Sequence, residues 1–142
     1  SALNPLEGFK STSPGVNLSK NEPNFITVSN LTELENAIKS SSKPLLIDFY
    51  ATWCASCNEL DEITFKDEAV LKKLENFTLL RVDVTKNSND DAQIMKKFGL
   101  IGPPAILFFR AGSDAQDELK NARLIGFYPP EKFLAHLEKF GL

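Results

Sequence analysis

The chain has 142 residues, a net charge of −3 at neutral pH, 42% hydrophobic and 25% charged residues. That is enough apolar material, over enough length, for one globular domain with a real core. The acidic balance argues against a nucleic-acid footprint, and no apolar run approaches the length of a membrane-crossing helix.

Residues 1–24 are rich in Ser, Asn, Pro and Gly and are expected to form a linker or N-terminal arm, leaving 25–142 as the domain. The opening lacks the basic segment and apolar block of a signal peptide. Ser1-Ala2 fits a domain excised from a longer chain. Phe25–Val28 is a short strand candidate. Asn30 can cap the next helix, with Glu33 at the capping-box position and Leu31, Leu34 and Ile38 at helical spacing. Pro44–Ala51 reads as a buried strand that ends just before Trp53-Cys54-Ala55-Ser56-Cys57. Asn58–Ile63 can continue as a helix, Thr64–Lys66 interrupts it, and Asp67 can cap a second piece carrying Val70, Leu71 and Leu74.

Thr78–Val84 is rich in strand formers, and Ile94, Met95 and Phe98 make one helical face that Gly99 stops. Gly102-Pro103-Pro104 precedes another apolar strand, Ala105–Phe109. After a polar turn, Arg123–Gly126 is expected to return as an edge strand and close a hairpin. Pro129-Pro130 opens a last helix with Phe133, Leu134, Leu137 and Phe140 on its apolar side. Helices between strands imply parallel crossovers, and the short final link implies an antiparallel pair. The expected fold is α/β, a mixed central sheet with helices on both faces.

The chemistry concentrates at the two cysteines, the only ones in the chain. Cys-x-x-Cys at a strand-to-helix junction is a redox signature. On a first helical turn Cys54 meets free backbone N–H groups that favour a thiolate, and Cys57 lies within disulfide reach on the same face. Zinc is the competing use of such a pair. A structural zinc site needs about four ligands, whereas this chain adds only His136, expected to be a surface or boundary residue. Two inert buried thiols are the other alternative. Both cysteines belong to one motif, so their number does not fix the compartment. Asp48 stands out because it interrupts an apolar strand, where an unpaired acid is costly; by alternation it shares a face with Leu46 and Tyr50. Asp61 follows Cys57 by one helical turn.

The order of elements, with Trp53-Cys54-x-x-Cys57 after the second strand and Gly102-Pro103-Pro104 before the fourth, resembles the thioredoxin fold over residues 25–142. The run Pro44–Cys57, the Thr64-Phe65 break, Val82-Asp83-Val84-Thr85 and Gly102–Phe109 look similar to the C-terminal domains of the DsbD family of thiol:disulfide interchange proteins. So does Gly126-Phe127 followed by a helix with Phe133, His136 and Leu137. This resemblance implies a periplasmic domain of a bacterial inner-membrane protein, tethered through its parent. It implies electrons received from a transmembrane domain and passed to an N-terminal domain, then on to disulfide isomerases and cytochrome c maturation proteins. Protein disulfides and dithiols are the implied partners, with no nucleic acid. No organic cofactor or metal is implied, because the Cys54–Cys57 disulfide carries both electrons.

The resemblance also implies roles for single residues. Cys54 attacks and Cys57 resolves the mixed disulfide. Asp48 and Asp61 match acids that hold back the Cys54 thiolate, and Asp48 can move the Cys57 proton. Pro104 matches a cis-proline, and Trp53, Pro103 and Pro104 form the partner-binding set. Three departures stand out: Ala55-Ser56 between the cysteines, Pro103 before the matched cis-proline, and Ala105 in place of a threonine. A free-standing thioredoxin-like reductase, or a redox-inactive binding module on the same scaffold, are the alternatives.

Overall fold

The apolar run before the cysteines is a central strand. In the computed structural model, which describes residues 22–142, Leu45–Tyr50 pairs in parallel with Thr78–Asp83 on one side and antiparallel with Ala105–Phe109 on the other. In chain order the elements are β1 (Ile26–Thr27), α1 (Leu31–Ser40), β2 (Leu45–Tyr50), α2 (Ala55–Glu62), α3 (Glu68–Leu74), β3 (Thr78–Asp83), α4 (Asn89–Lys97), β4 (Ala105–Phe109) and α5 (Pro130–Lys139). The strands lie in the order β1-β3-β2-β4, a mixed sheet as expected. Residues 1–21 of the expected arm lie outside the described residues.

Local chemistry explains where the helices begin. Asn30 Oδ1 accepts the Glu33 N–H at 2.9 Å, as the sequence suggests. The reciprocal bond is shifted by one residue, because Glu33 Oε1 accepts the Ser29 N–H rather than that of Asn30. Ser88 and Asp91 form a full capping box on α4, and Asp67 caps α3. The break between α2 and α3 is a 3-10 turn at Thr64–Lys66. Thr64, fully buried, donates its hydroxyl to the Tyr128 carbonyl, while Phe65 packs edge-on against Phe25 and Phe133.

Alternation along the strands builds two cores. Leu45, Ile47 and Phe49 of β2 face α1 and α4 with Leu34, Ile38, Ile94 and Phe98. Leu46 faces the other way, with Leu60 of α2, Val70 and Leu74 of α3, and Phe133 and Leu137 of α5. Met95 is partly buried against the first core, the filler role typical of methionine.

One expectation is corrected. Arg123–Gly126 is not a strand: only Leu124 pairs, in a single antiparallel bridge to Ile106. A 3-10 turn at Lys120–Ala122 holds the chain before it, and Gly126, at φ 105°, turns the chain away after it. The Arg123 guanidinium bonds Glu118 through two nitrogens, which favours the turn over a longer ladder.

Candidate active site

The strand β2 ends at Tyr50, and the chain turns through Ala51 to Trp53 into the start of α2. Cys54 is the N-cap of that helix rather than part of its first turn. Its carbonyl accepts the Asn58 N–H, the first helical bond, and its Sγ accepts the Cys57 N–H at 3.2 Å. The two cysteines form a disulfide with Cα atoms 5.2 Å apart. Cys54 is 7% exposed and Cys57 2% exposed, so partners reach the first sulfur more easily. Cys57 Sγ lies 3.8 Å from the Phe49 carbonyl oxygen, which sets it directly above the strand residue that follows Asp48.

The turn is fastened to the loop after β3. Thr85 Oγ1 accepts the Thr52 N–H at 2.9 Å, and the Thr85 carbonyl accepts the Trp53 indole N–H at 3.0 Å. Asn58 returns a bond from α2 to the Thr52 carbonyl. Trp53 therefore has a fixed edge while over half of its surface stays open to solvent. On the loop before β4, the Pro103–Pro104 peptide is cis, as the resemblance implied. Ile101, two residues ahead of Pro103, is fully exposed.

Asp48 and Asp61 are brought together, but by a residue that reading the sequence missed. Arg81 Nε donates to Asp48 Oδ2 at 2.9 Å, and its Nη2 approaches the same oxygen at 2.6 Å. Its two terminal nitrogens also bond both Asp61 oxygens, at 3.1 and 2.6 Å. The two carboxylates occupy the edges of the planar guanidinium, while the rings of Phe25 and Tyr50 each lie 4.4 Å from its centre. Burial pushes the Asp48 carboxyl up to about 6, against the opposing pull of Arg81 and with a smaller push from the Asp61 charge. Burial also works against the Arg81 charge, but its bonds to Asp61 and the charge of Asp48 hold it above its ordinary range. The signal for Arg81 was of the same kind as that for Asp48: a charged residue inside an apolar β run.

His136 takes no part in this site. Its Nε2 lies 2.6 Å from the Ala122 carbonyl oxygen, among the rings of Phe108, Tyr128 and Phe140, a boundary position as expected. Among the described residues, no three His, Cys, Asp or Glu side chains are grouped to hold a metal ion, and no helix is long and apolar enough to cross a membrane.

A cysteine disulfide capping the helix that follows the central strand, on this mixed sheet, defines a thiol–disulfide oxidoreductase of the thioredoxin fold. Residues 25–127 match the Thioredoxin family model. The thiol:disulfide interchange protein DsbD of Campylobacter jejuni is 34% identical over 136 residues, covering 96% of this chain and 22% of that protein. DsbD of Pectobacterium atrosepticum is 41% identical over 118 residues, covering 82% of this chain and 20% of that protein. The crystal structure of the oxidised C-terminal domain of Neisseria meningitidis DsbD superposes with a TM-score of 0.63 at 30% identity, covering 80% of this chain and 98% of that one. The chain belongs to the thioredoxin family and, within it, to the C-terminal domains of DsbD. It spans about a fifth of the length of the curated relatives it matches.

Proposed function

We propose that this domain relays electrons by thiol–disulfide exchange, from a membrane domain of a longer parent protein to protein disulfides in the periplasm. The observation that carries this reading is the Cys54 cap: the more exposed cysteine, with the Cys57 N–H aimed at its sulfur, at the positive end of α2. In the reduced domain the Cys54 thiolate attacks one sulfur of a partner disulfide. The partner S–S bond breaks, and the leaving sulfur takes up a proton. Cys57 then loses its proton and attacks Cys54 Sγ, releasing the second partner sulfur, which is protonated in turn. The sum is one partner disulfide reduced to a dithiol and one Cys54–Cys57 disulfide formed, two electrons and two protons transferred. The cysteine pair supplies both electrons, so the cycle needs no organic cofactor or metal.

In this cycle Asp48, whose carboxyl burial pushes up to about 6, takes up the Cys57 proton. Trp53, Pro103 and Pro104 supply the surface against which a partner segment lies. The partners that suit this cycle are the N-terminal and transmembrane domains of the same parent. The test mixes reduced domain with the oxidised N-terminal domain of its parent, and with insulin as a general disulfide. One partner disulfide should be lost per Cys54–Cys57 disulfide formed, and Cys54→Ala should abolish the reaction. If the reduced domain reduces neither protein, the redox reading gives way to that of a binding module.

A further inference from the structure

The Arg81 network is closed from outside by a residue of the segment that leads into the domain. Phe25 stacks on one face of the guanidinium at 4.4 Å and meets Phe65 edge-on at 5.6 Å. Phe65 in turn packs on Phe133, so the Phe25 ring is anchored to the second core. The strand that carries Phe25 forward, β1, is only two residues long. It is held to β3 at Ile26↔Leu80 and Thr27↔Arg81, and by the Val28 N–H on the Arg81 carbonyl. The ring and the backbone of one short segment thus hold both ends of Arg81. Beside the ring lies an open cavity of about 230 Å³, lined by Glu22, Pro23, Asp61, Glu62, Lys66 and Arg81 as well as Phe25.

We propose that Phe25 is a positioning residue for the redox site: its ring covers one face of the Arg81 guanidinium, keeps water from the buried Asp48 behind it, and so sets the protonation of Asp48. The physical argument rests on hydration. Asp48 is almost wholly buried, and burial is the largest influence on its carboxyl. The cavity already reaches Arg81 and Asp61, and Phe25 forms one of its walls. Replacing the ring by a methyl extends the cavity over the guanidinium face and opens a path for water toward Asp48, the buried carboxylate of the pair. Hydration favours the charged form of Asp48. The titratable and charged groups that face the network are Asp48 and Tyr50 of β2, Asp61 and Glu62 of α2, Lys66 of the 3-10 turn, Arg81 of β3 and Glu22 of the leading segment. None of the others is as deeply buried as Asp48, so its titration is the one that removing the cover moves.

This deepens the proposed relay, but its test requires no turnover. The Asp48 carboxyl is followed by carbon NMR against pH in the oxidised 142-residue chain, for wild type, Phe25→Ala and Phe25→Tyr. Phe25→Ala should move the Asp48 titration down by about one pH unit, and Phe25→Tyr, which keeps the ring, should overlay wild type. Far-ultraviolet dichroism and cooperative unfolding establish that each variant is folded. If Phe25→Ala does not fold, Phe25→Leu carries the test, with a smaller shift in the same direction. An unchanged or raised Asp48 titration in the folded variant overturns the proposal. Insulin reduction by reduced wild type is measured alongside. Its absence overturns the relay reading and leaves the titration result standing.

Discussion

Asp48 and Arg81 are register partners on the parallel strands β2 and β3, and the Arg81 Nε–H bonds Asp48 Oδ2 at 2.9 Å. A full ion pair beside an apolar core is costly to form and costlier to break, because removing one partner strands the other charge. Arg81→Met should therefore destabilise the domain by about 3 kcal/mol or more, measured by urea unfolding at neutral pH. It should also raise the Asp48 titration point further, since the Arg81 charge and hydrogen bond both pull it down. Unfolding free energies within about 0.5 kcal/mol of wild type would show that the pair adds little.

The raised Asp48 carboxyl makes a pH prediction with a definite sign. Its folded value of about 6 exceeds the ordinary 3.8, so between these values the folded state binds more protons than the unfolded one. Stability from this group is thus present at low pH and is lost as pH rises through 6. The full difference is on the order of 3 kcal/mol. Unfolding free energies of the oxidised protein at pH 8 and pH 5, compared with Asp48→Asn, isolate the effect. The substitution should remove a fall in stability on going to pH 8 that wild type shows.

The same pair makes a prediction about the thiol. With Asp48 ionised, the network of two acids and one arginine carries one net negative charge; with Asp48 protonated it is neutral. The two-acid picture read from the sequence therefore acquires a cation, and Asp48 becomes the switchable member. Asp48→Asn should raise the thiolate fraction of reduced Cys54 at neutral pH, and Asp61→Gln should act in the same direction. Thiolate absorbance followed against pH checks this. A thiolate fraction unchanged in both variants would separate the network from the sulfur.

These predictions also mark what was legible in the sequence. The cap at Asn30, the break at Thr64-Phe65, the two faces of β2 and the odd acid at Asp48 are local or period-two signals, and each is found in the structure. The partner of Asp48 was not legible, because the register of β2 against β3 is set across a whole βαβ crossover. Thr85 was missed for the same reason: its role depends on the loop after β3 lying against Thr52 and Trp53. The expected hairpin strand failed differently. Its β-formers are real, but the turn before Arg123 and the positive φ at Gly126 leave room for one pair.

Thr85 offers a further check on the active-site turn. Thr85→Ala deletes the acceptor of the Thr52 N–H, which should cost about 1 kcal/mol of stability and loosen Trp53. The expected readout is a changed Trp53 fluorescence and a several-fold lower rate of partner reduction. Retained rate and fluorescence would show that the bonds from Trp53 to the Thr85 carbonyl and from Asn58 to the Thr52 carbonyl suffice to hold the turn.

Pro103 supplies a prediction about partners. It has no N–H, so a segment lying along it can bond only its carbonyl oxygen. Pro103→Thr restores a donor and should broaden the range of protein disulfides reduced, measured as relative rates with the parent's N-terminal domain and with insulin. An unchanged ratio would remove the missing donor from the account of specificity.

The division of labour between the two cysteines is tested most directly by trapping. Reduced Cys57→Ala and Cys54→Ala domains are each mixed with an oxidised partner domain, and covalent complexes are identified by mass spectrometry. The account predicts a stable mixed disulfide through Cys54 in Cys57→Ala and none in Cys54→Ala. A complex that forms only through Cys57, in the Cys54→Ala protein, would contradict it.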